Sequence, residues 1–502
     1  MIAVLATVGC LGAASVAGIR WLRVAQREHY APGRVSRFQR RWEPPWAVLT
    51  SLVGLVGLVI GEPALVLVTA IFVGIGPPGL SIKGRTSPLA WTRRLKTTAA
   101  VAAALAATVL GAATIAASPW QGAFVLCIGT AQLIDLALAI AAPFERRAAR
   151  SHVEAATSKL RQVNPIVVAI TGSYGKTTTK GYLRHLLEGV RSVVASPASF
   201  NNTAGLSRAI NEGLHSGTEV FIAEMGAYGP GEIADLCRWI QPDVAAICAI
   251  GPVHLERYGS IERIVAAKSE ILGSASTVVL NIDAAGLAET AARAAQRGQR
   301  VVRVSAHDPE ADATVTRTSD GLAVEVYGSL VATIESTGRH PSNVATAVGL
   351  ALALDVEVAH IVDRLGDLPA AEHRQQVVTA PSGVVLIDDT FNANPAGAAA
   401  ALDLLADHQT EGRRVVVTPG MIELGRRQDD ENRAFALRAA SEATDIAVVG
   451  RTNRAALLAG AGNGDAAVHT FPTREAAVEW VRANLTAGDV VLYENDLPDH
   501  YP

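Results

Sequence analysis

Residues 170–180 read ITGSYGKTTTK and sit between the apolar run IVVA and a helical pattern. Gly172 and Gly175 allow backbone N–H groups to turn toward phosphate oxygens, and the helix that follows aims its positive N-terminal end at them. Lys176 is placed to reach the β- and γ-phosphates of a nucleotide. The Thr177 hydroxyl is placed to hold magnesium, and Ser173 and Thr178 complete the loop. The common phosphate-loop pattern carries a further glycine six positions before the lysine, where this chain has Ile170, so the loop is a shortened one. Two more candidates end later apolar runs. Glu224 closes VFIAE as a carboxylate suited to a metal, and His254 lies in GPVHLERYGS just after VAAIC. Ligands bind beyond the carboxyl ends of strands in parallel sheets, which is where all three segments fall.

The elements that must hold these residues follow from the pattern beyond residue 150. Short β-branched runs at 166–170, 219–224, 244–249, 277–281, 384–388, 414–418, 445–449 and 488–492 alternate with helical stretches such as 177–188, 396–407 and 473–485. That alternation predicts an α/β fold with parallel sheets and crossover helices. The polar break ESTGRHPSN divides it into a nucleotide-binding domain over 151–337 and a second, Rossmann-like α/β domain over 338–502.

Five motifs in this order resemble those of the Mur ligases: TGSYGKTTTK, SFNNTAG (199–205), AEMGAYGPGEI (223–233), GPVHLERYGSIERIVAAKSEIL (251–272) and DDTFNANP (388–395). Within that family they are most similar to the members that add a dipeptide amine to a UDP-muramoyl tripeptide. The shortened loop is itself a family feature. The resemblance implies ATP-dependent amide formation, in which a carboxylate attacks the γ-phosphate and an amine displaces phosphate from the resulting acyl phosphate. It implies ATP and two magnesium ions, with Thr177 and Glu224 holding one ion and His254 the other. Lys268 matches the family lysine that takes up carbon dioxide as a carbamate and becomes an anionic oxygen ligand. Asn201 and Asn202 match the segment near substrate, Asn343 the adenine contact and Arg374 the hinge arginine that reaches ATP. Asp389, Asn392 and Asn394 match the loop that closes over nucleotide and amine. The chain departs from the pattern in TPGMIELG (418–425), where Pro419 replaces a usual acidic residue, and in its ending ENDLPDHYP.

The largest departure precedes residue 150, where the soluble ligases carry a domain that grips the UDP-sugar. Here apolar runs cover 1–19, 46–79, 97–118 and 122–142, each of the first, third and fourth about long enough for one span. The second is broken at Gly61-Glu62-Pro63 and reads as a tight hairpin of two short spans or as a re-entrant pair. Seven arginines between residues 20 and 41, basic residues at 83–96, and Arg146, Arg147 and Arg150 mark the cytoplasmic side. These features predict five spans with the N-terminus outside and everything beyond residue 150 in the cytoplasm. Residues 1–150 carry 15 Lys/Arg against 5 Asp/Glu, whereas 151–502 carry 29 against 42, so the second part is acidic and nucleic acid is excluded as a partner. Cys10, Cys127, Cys237 and Cys248 form no CxxC pair, which points away from zinc and disulfides.

The sequence thus points to a membrane-anchored ligase of the cell envelope. Its acceptor would be a UDP-linked or lipid-linked muramyl peptide carboxylate, and its amine an amino acid or dipeptide. A poly-γ-glutamate-type synthase and a membrane P-loop ATPase driving transport or assembly remain alternatives. DDTFNANP and its domain argue against the first. Hydrolysis of ATP without any carboxylate and amine would mark the second.

Overall fold

The computed structural model describes every residue except 77–79, 81, 83–88, 198–199, 337, 370–374, 392, 498–500 and 502. The chain separates into two compact units, one of residues 1–149 with 450–452 and 497–502, the other of 150–449 with 453–496.

The first unit is helical. Its core is built from small side chains, Ala6, Cys10, Ala13, Ala70 and Ala123, around Phe124 and Val66. Small residues let helix backbones approach closely where little hydrophobic gain separates packed from lipid-exposed surface. Gly57 shows the same economy, since a Cβ there would stand 2.7 Å from the Cβ of Leu65. Helix Arg34–Trp42 starts on the Asp135 carboxylate, which accepts from Val35 N at 3.2 Å and Ser36 N at 2.8 Å, a charge-assisted cap at the positive helix end.

Helices Ile2–Arg27 and Arg93–Ile115 are long and apolar enough to cross a membrane. The broken run forms the expected hairpin, Pro45–Ile60 and Pro63–Ile75, which turns at Gly61 in left-handed backbone (φ 77°). The fourth run is not one straight span: Pro119–Ile128 and Thr130–Val163 meet at a 77° bend. Among the described residues, two helices qualify by length and composition, or up to four spans if each bent pair counts as one; the sequence pattern predicts five. Hydropathy measures the length of an apolar run and is blind to bends within it.

The second unit holds two sheets. The strands of the first are β1 (Ile166–Thr171), β2 (Val193–Ala195), β3 (Val220–Glu224), β4 (Val244–Ile247), β5 (Thr277–Asn281), β6 (Arg300–Ser305), β7 (Ala313–Thr318), β8 (Gly321–Val326) and β9 (Ser329–Ile334). Their order is β2-β3-β1-β4-β5-β6-β7-β8-β9, parallel up to β7 and antiparallel from there. The inner strands IVVAIT, VFIAE and VAAI are buried on both faces, as parallel strands under two helix layers must be. The β7–β9 meander lay outside the expected strands. Its alternation (ATVTRT, GLAVEV) is that of a sheet covered on one face, without the crossover helices that mark the others.

The second sheet comprises β10 (Gln376–Thr379), β11 (Val385–Asp389), β12 (Arg414–Thr418), β13 (Asp445–Val449), β14 (Ala467–Phe471) and β15 (Val490–Glu494), in the order β10-β11-β15-β12-β13-β14. Only β10 runs antiparallel to its neighbour. The expected division at residues 337/338 falls later by packing. Helices Pro341–Ala353 and Val358–Leu365 place Val344, Val348, Ala351, Ile361 and Leu365 in the core of the first sheet, and the second sheet starts only at Gln376. The polar break falls between β9 and helix Pro341–Ala353, both of which pack in the first sheet's core.

Candidate active site

Strand register gathers the candidate residues on one edge. Ile170 pairs with Glu224 and Thr171 with Ile247, so the phosphate loop, Glu224 and the segment leading to His254 all leave the sheet together. Gly175 is in left-handed backbone (φ 82°) as the N-cap of helix Lys176–Leu187, and a Cβ there would run into the Asn343 side chain. Asn343 is thereby set directly against the loop. Ser173 fastens the loop to the neighbouring strand's end, accepting from Gly251 N at 3.0 Å and donating to Gly251 O at 3.2 Å. Lys176 Nζ rests on the Gly172 carbonyl at 2.8 Å.

Thr177 Oγ1 donates to Glu224 Oε2 at 2.9 Å, and Asn201 Nδ2 reaches Glu224 Oε1 at 3.3 Å. Lys180 Nζ lies 2.9 Å from the same Oε2 in a buried pair. Burial pushes the Glu224 carboxyl up, but Lys180 and Lys176 outweigh it and hold the group below the usual carboxylate range, ionised at neutral pH. A hydroxyl beside an ionised carboxylate is a hard oxygen donor set suited to magnesium, which takes one or two protein oxygens and completes its shell with phosphate and water.

His254 caps helix Leu255–Tyr258 in left-handed backbone (φ 59°), and its Nδ1 is bonded to Glu423 Oε2. Arg257 Nη2 donates to Glu423 Oε1 at 2.5 Å and lies over the Tyr228 ring, which in turn packs edge-on against His254. Glu423 is itself left-handed (φ 64°). Non-glycine residues held in this region cost energy, and two in direct contact mark a place where geometry is imposed. Burial lowers the His254 pKa despite Glu423, so the ring is neutral at pH 7 with Nε2 left for a ligand. For Glu423, burial acts upward, but His254 and Arg257 prevail and hold it far below the carboxylate range. A carboxylate that fixes the far nitrogen of a metal-binding imidazole is a recurrent supporting arrangement. Glu423→Ala is therefore expected to cut activity about 10–100-fold, with a matching rise in the magnesium concentration needed for half-maximal rate. Steady-state kinetics across a magnesium titration check this.

Lys268 stands on helix Ile261–Ser269, 3% exposed, with no hydrogen bond or ion pair among the described residues. Burial, reinforced by Lys176, lowers its pKa to about 7. An amine that is half neutral at pH 7 can add to carbon dioxide, which an ammonium cannot.

Two expected contacts have local duties. Asn202 Oδ1 caps helix Thr203–Gly213 by accepting from Gly205 N, and Asn394 Oδ1 caps Pro395–Asp407 by accepting from Gly397 N, both at 3.0 Å. Asp389 is paired across strands with Glu494 at the carboxyl edge of the second sheet. Burial first, and then Asp389, push Glu494 well above the usual carboxylate range, so the two acids do not both ionise. Arg374 and Asn392 lie outside the described residues.

Residues 170–351 match the Mur ligase middle domain and 373–493 the Mur ligase glutamate ligase domain. The chain is 33% identical over 358 residues to the UDP-N-acetylmuramoyl-tripeptide–D-alanyl-D-alanine ligase of Mycobacterium tuberculosis strain H37Rv, covering 65% of this chain and 69% of that protein. The chain belongs to the Mur ligase family. The Bacillus subtilis ligase of the same name is 28% identical over 279 residues, 54% of this chain and 59% of that one. Among solved structures, MurF from Thermotoga maritima in complex with ADP superposes with a TM-score of 0.59 at 24% identity, covering 69% of this chain and 80% of that one. Like other Mur ligases, the protein is an ATP-dependent amide-bond ligase.

Three residues of this Mur ligase site carried no assigned role in the sequence reading. Lys180 follows Lys176 by one helical turn in GKTTTK, so helical spacing alone could have placed it on the same face. Glu423 lies 169 residues from His254 in sequence, and Arg257 acts through Glu423; only the folded chain joins them.

Proposed function

We propose that this protein is a membrane-anchored Mur ligase of peptidoglycan synthesis that joins a muramyl-peptide carboxylate to an amino acid or dipeptide amine, with its catalytic unit on the cytoplasmic side. The observation that carries it is a complete phosphate-loop edge, with Thr177, Glu224, His254 and Asn343 assembled, behind an N-terminal unit of apolar helices outside the matched domains. Lys176 draws the γ-phosphate toward the attacking carboxylate and offsets the repulsion between the two anions. Carboxylate oxygen bonds to phosphorus as ADP departs. The amine nitrogen then bonds to the acyl carbon as phosphate leaves, and the nitrogen gives up a proton. Thr177 and Glu224 would hold one magnesium ion, and His254 with the Lys268 carbamate a second. Bound magnesium supplies charge neutralisation between the phosphates. Asn201 steadies Glu224, and Asn343 backs the loop against the nucleotide. Arg374 and Asp389 complete the nucleotide contacts, while Asn392 and Asn394 belong to the loop that meets the amine.

The membrane assignment follows from the two long apolar helices and the arginine-rich connection after the first. A helical anchor in place of a UDP-gripping domain favours an acceptor that is itself at the membrane, where tethering raises the effective concentration. A chain starting near Ser151 keeps Ala156 and Leu160, which pack in the core of the first sheet. It is expected to be soluble and to bind ATP, yet to bind a soluble UDP-muramoyl peptide weakly, with the full chain in vesicles turning over a lipid-linked acceptor. Calorimetric titration of the shortened chain is the check. Tight binding of the soluble peptide would return the protein to the ordinary soluble pathway. ATP hydrolysis that needs neither carboxylate nor amine would make it a membrane ATPase instead.

A further inference from the structure

The N-terminal unit contains a cavity of about 250 Å³ among helices Ile2–Arg27, Arg34–Trp42, Pro45–Ile60 and Pro63–Ile75, lined by Arg20, Trp21, Arg40, Glu43, Phe72 and Val73 among others. Arg20 is 7% exposed. Its Nη1 donates to the Gly74 carbonyl at 2.8 Å, and its Nε is buried with no partner among the described residues. A Cβ on Gly76 would collide with this guanidinium, so Gly76 is the residue that leaves room for it. A guanidinium taken out of water without an anion is costly, and among the described residues no carboxylate bonds to that of Arg20. Among the described residues of the lining Glu43 is the one carboxylate, and Gln39 Nε2 bonds to its Oε1 at 3.3 Å. With Arg20 and Arg40 against Glu43, two charges less one, the lining keeps a net positive charge beside apolar Trp21, Phe72 and Val73.

We propose that this cavity binds the phosphate end of a membrane lipid, with Arg20 as its principal anchor. The inference rests on the membrane reading above. A guanidinium matches phosphate oxygens in a two-pronged hydrogen bond, and its free Nε offers the missing donor. The apolar side of the cavity suits the first carbons of a lipid chain. Arg20 lies toward the arginine-rich end of helix Ile2–Arg27, the end that the charge bias assigns to the inner leaflet. The volume admits a phosphate or diphosphate and a few methylene groups, and the rest of the chain would remain in the bilayer.

The test uses the full-length protein in neutral-detergent micelles, titrated separately with farnesyl diphosphate, phosphatidylglycerol and phosphatidylcholine. Binding is read by calorimetry and by the fluorescence of Trp21, with Trp21→Phe identifying that signal. Saturable binding of one phosphate-bearing lipid per chain is expected, weakened at least about tenfold in Arg20→Gln and less in Arg20→Lys. Preference for farnesyl diphosphate would identify a polyprenyl carrier as the occupant, and preference for phosphatidylglycerol a bulk anionic lipid. The helical circular dichroism and melting temperature of each variant in the same micelles, with Arg40→Gln as a rim substitution that leaves the buried packing alone, separate lost lipid binding from a lost fold of the N-terminal unit. Equal affinity for phosphatidylcholine, or binding indifferent to both arginines, would overturn the proposal. Turnover of a soluble UDP-linked acceptor would sink the lipid-linked acceptor while leaving this lipid site standing.

Discussion

Lys176→Ala is expected to lower turnover by at least about 10²–10³-fold and to leave the fold intact. The lysine's ammonium lies on the Gly172 carbonyl, at the mouth of the loop and not in the core. Its loss removes a positive charge aimed at phosphate oxygens where negative charge gathers in the transition state, and losing one such donor typically costs this much. Lys176 also holds down the pKa of both Glu224 and Lys268. The variant should therefore show Lys268 titrating higher than in the parent, an effect readable by nuclear magnetic resonance of a labelled lysine. Near-normal ligation with an unchanged melting temperature would remove residues 172–177 from the role of phosphate loop.

Lys268→Ala is expected to be inactive, with partial recovery on adding formate or acetate. A carbamate on Lys268 would offer oxygen to a hard cation, and a small carboxylate diffusing into the space left by the side chain would offer the same atom. The sign of the pH effect follows from the lowered pKa. Below about pH 7 the side chain is an ammonium and cannot form the carbamate, so activity should fall on the acid side of about 7. Enzyme stripped of carbon dioxide should regain rate on addition of bicarbonate. Stability moves in the same direction. Between about 7 and the ordinary lysine value of 10.5 the unfolded chain binds a proton that the folded chain does not, so stability rises with pH across that window. Lys268→Met removes the titrating group and should flatten that part of the profile without lowering the melting temperature at neutral pH. This dead but stable variant separates lost chemistry from lost folding. Full activity in Lys268→Ala would make the buried lysine a packing residue.

The departures from the family pattern acquire meaning beside these two residues. In TPGMIELG the unusual Pro419 offers its carbonyl to Asn453 Nδ2 at 2.9 Å, a bond that needs no acidic side chain. Four residues on, Glu423 carries the link to His254. The altered segment thus retains its connection to the nucleotide edge. The Asp389–Glu494 pair stands at the corresponding edge of the second sheet, next to the loop expected to meet the amine.

The sequence by itself determined the glycine-turned joint between the first strand and its helix, the parallel strands around it and the family. These depend on local signals: glycine where backbone must turn, a lysine and threonine that open a helix, and continuous β-branched runs that only a doubly covered sheet can bury. It also marked the N-terminal helices, because apolar length is written in composition. The tertiary structure alone decided which distant groups meet. Glu423 reaches His254 from 169 positions away, and Lys180 turns out to be the buried partner of Glu224. The Lys268 pKa, likewise, is set by how completely the fold strips water from the amine and how near it brings Lys176. Bends at helix junctions and the cavity around Arg20 arise from several helices packing at once. Charge, hydration and close contact are properties of neighbours in space, and a linear sequence specifies those neighbours only once it has folded.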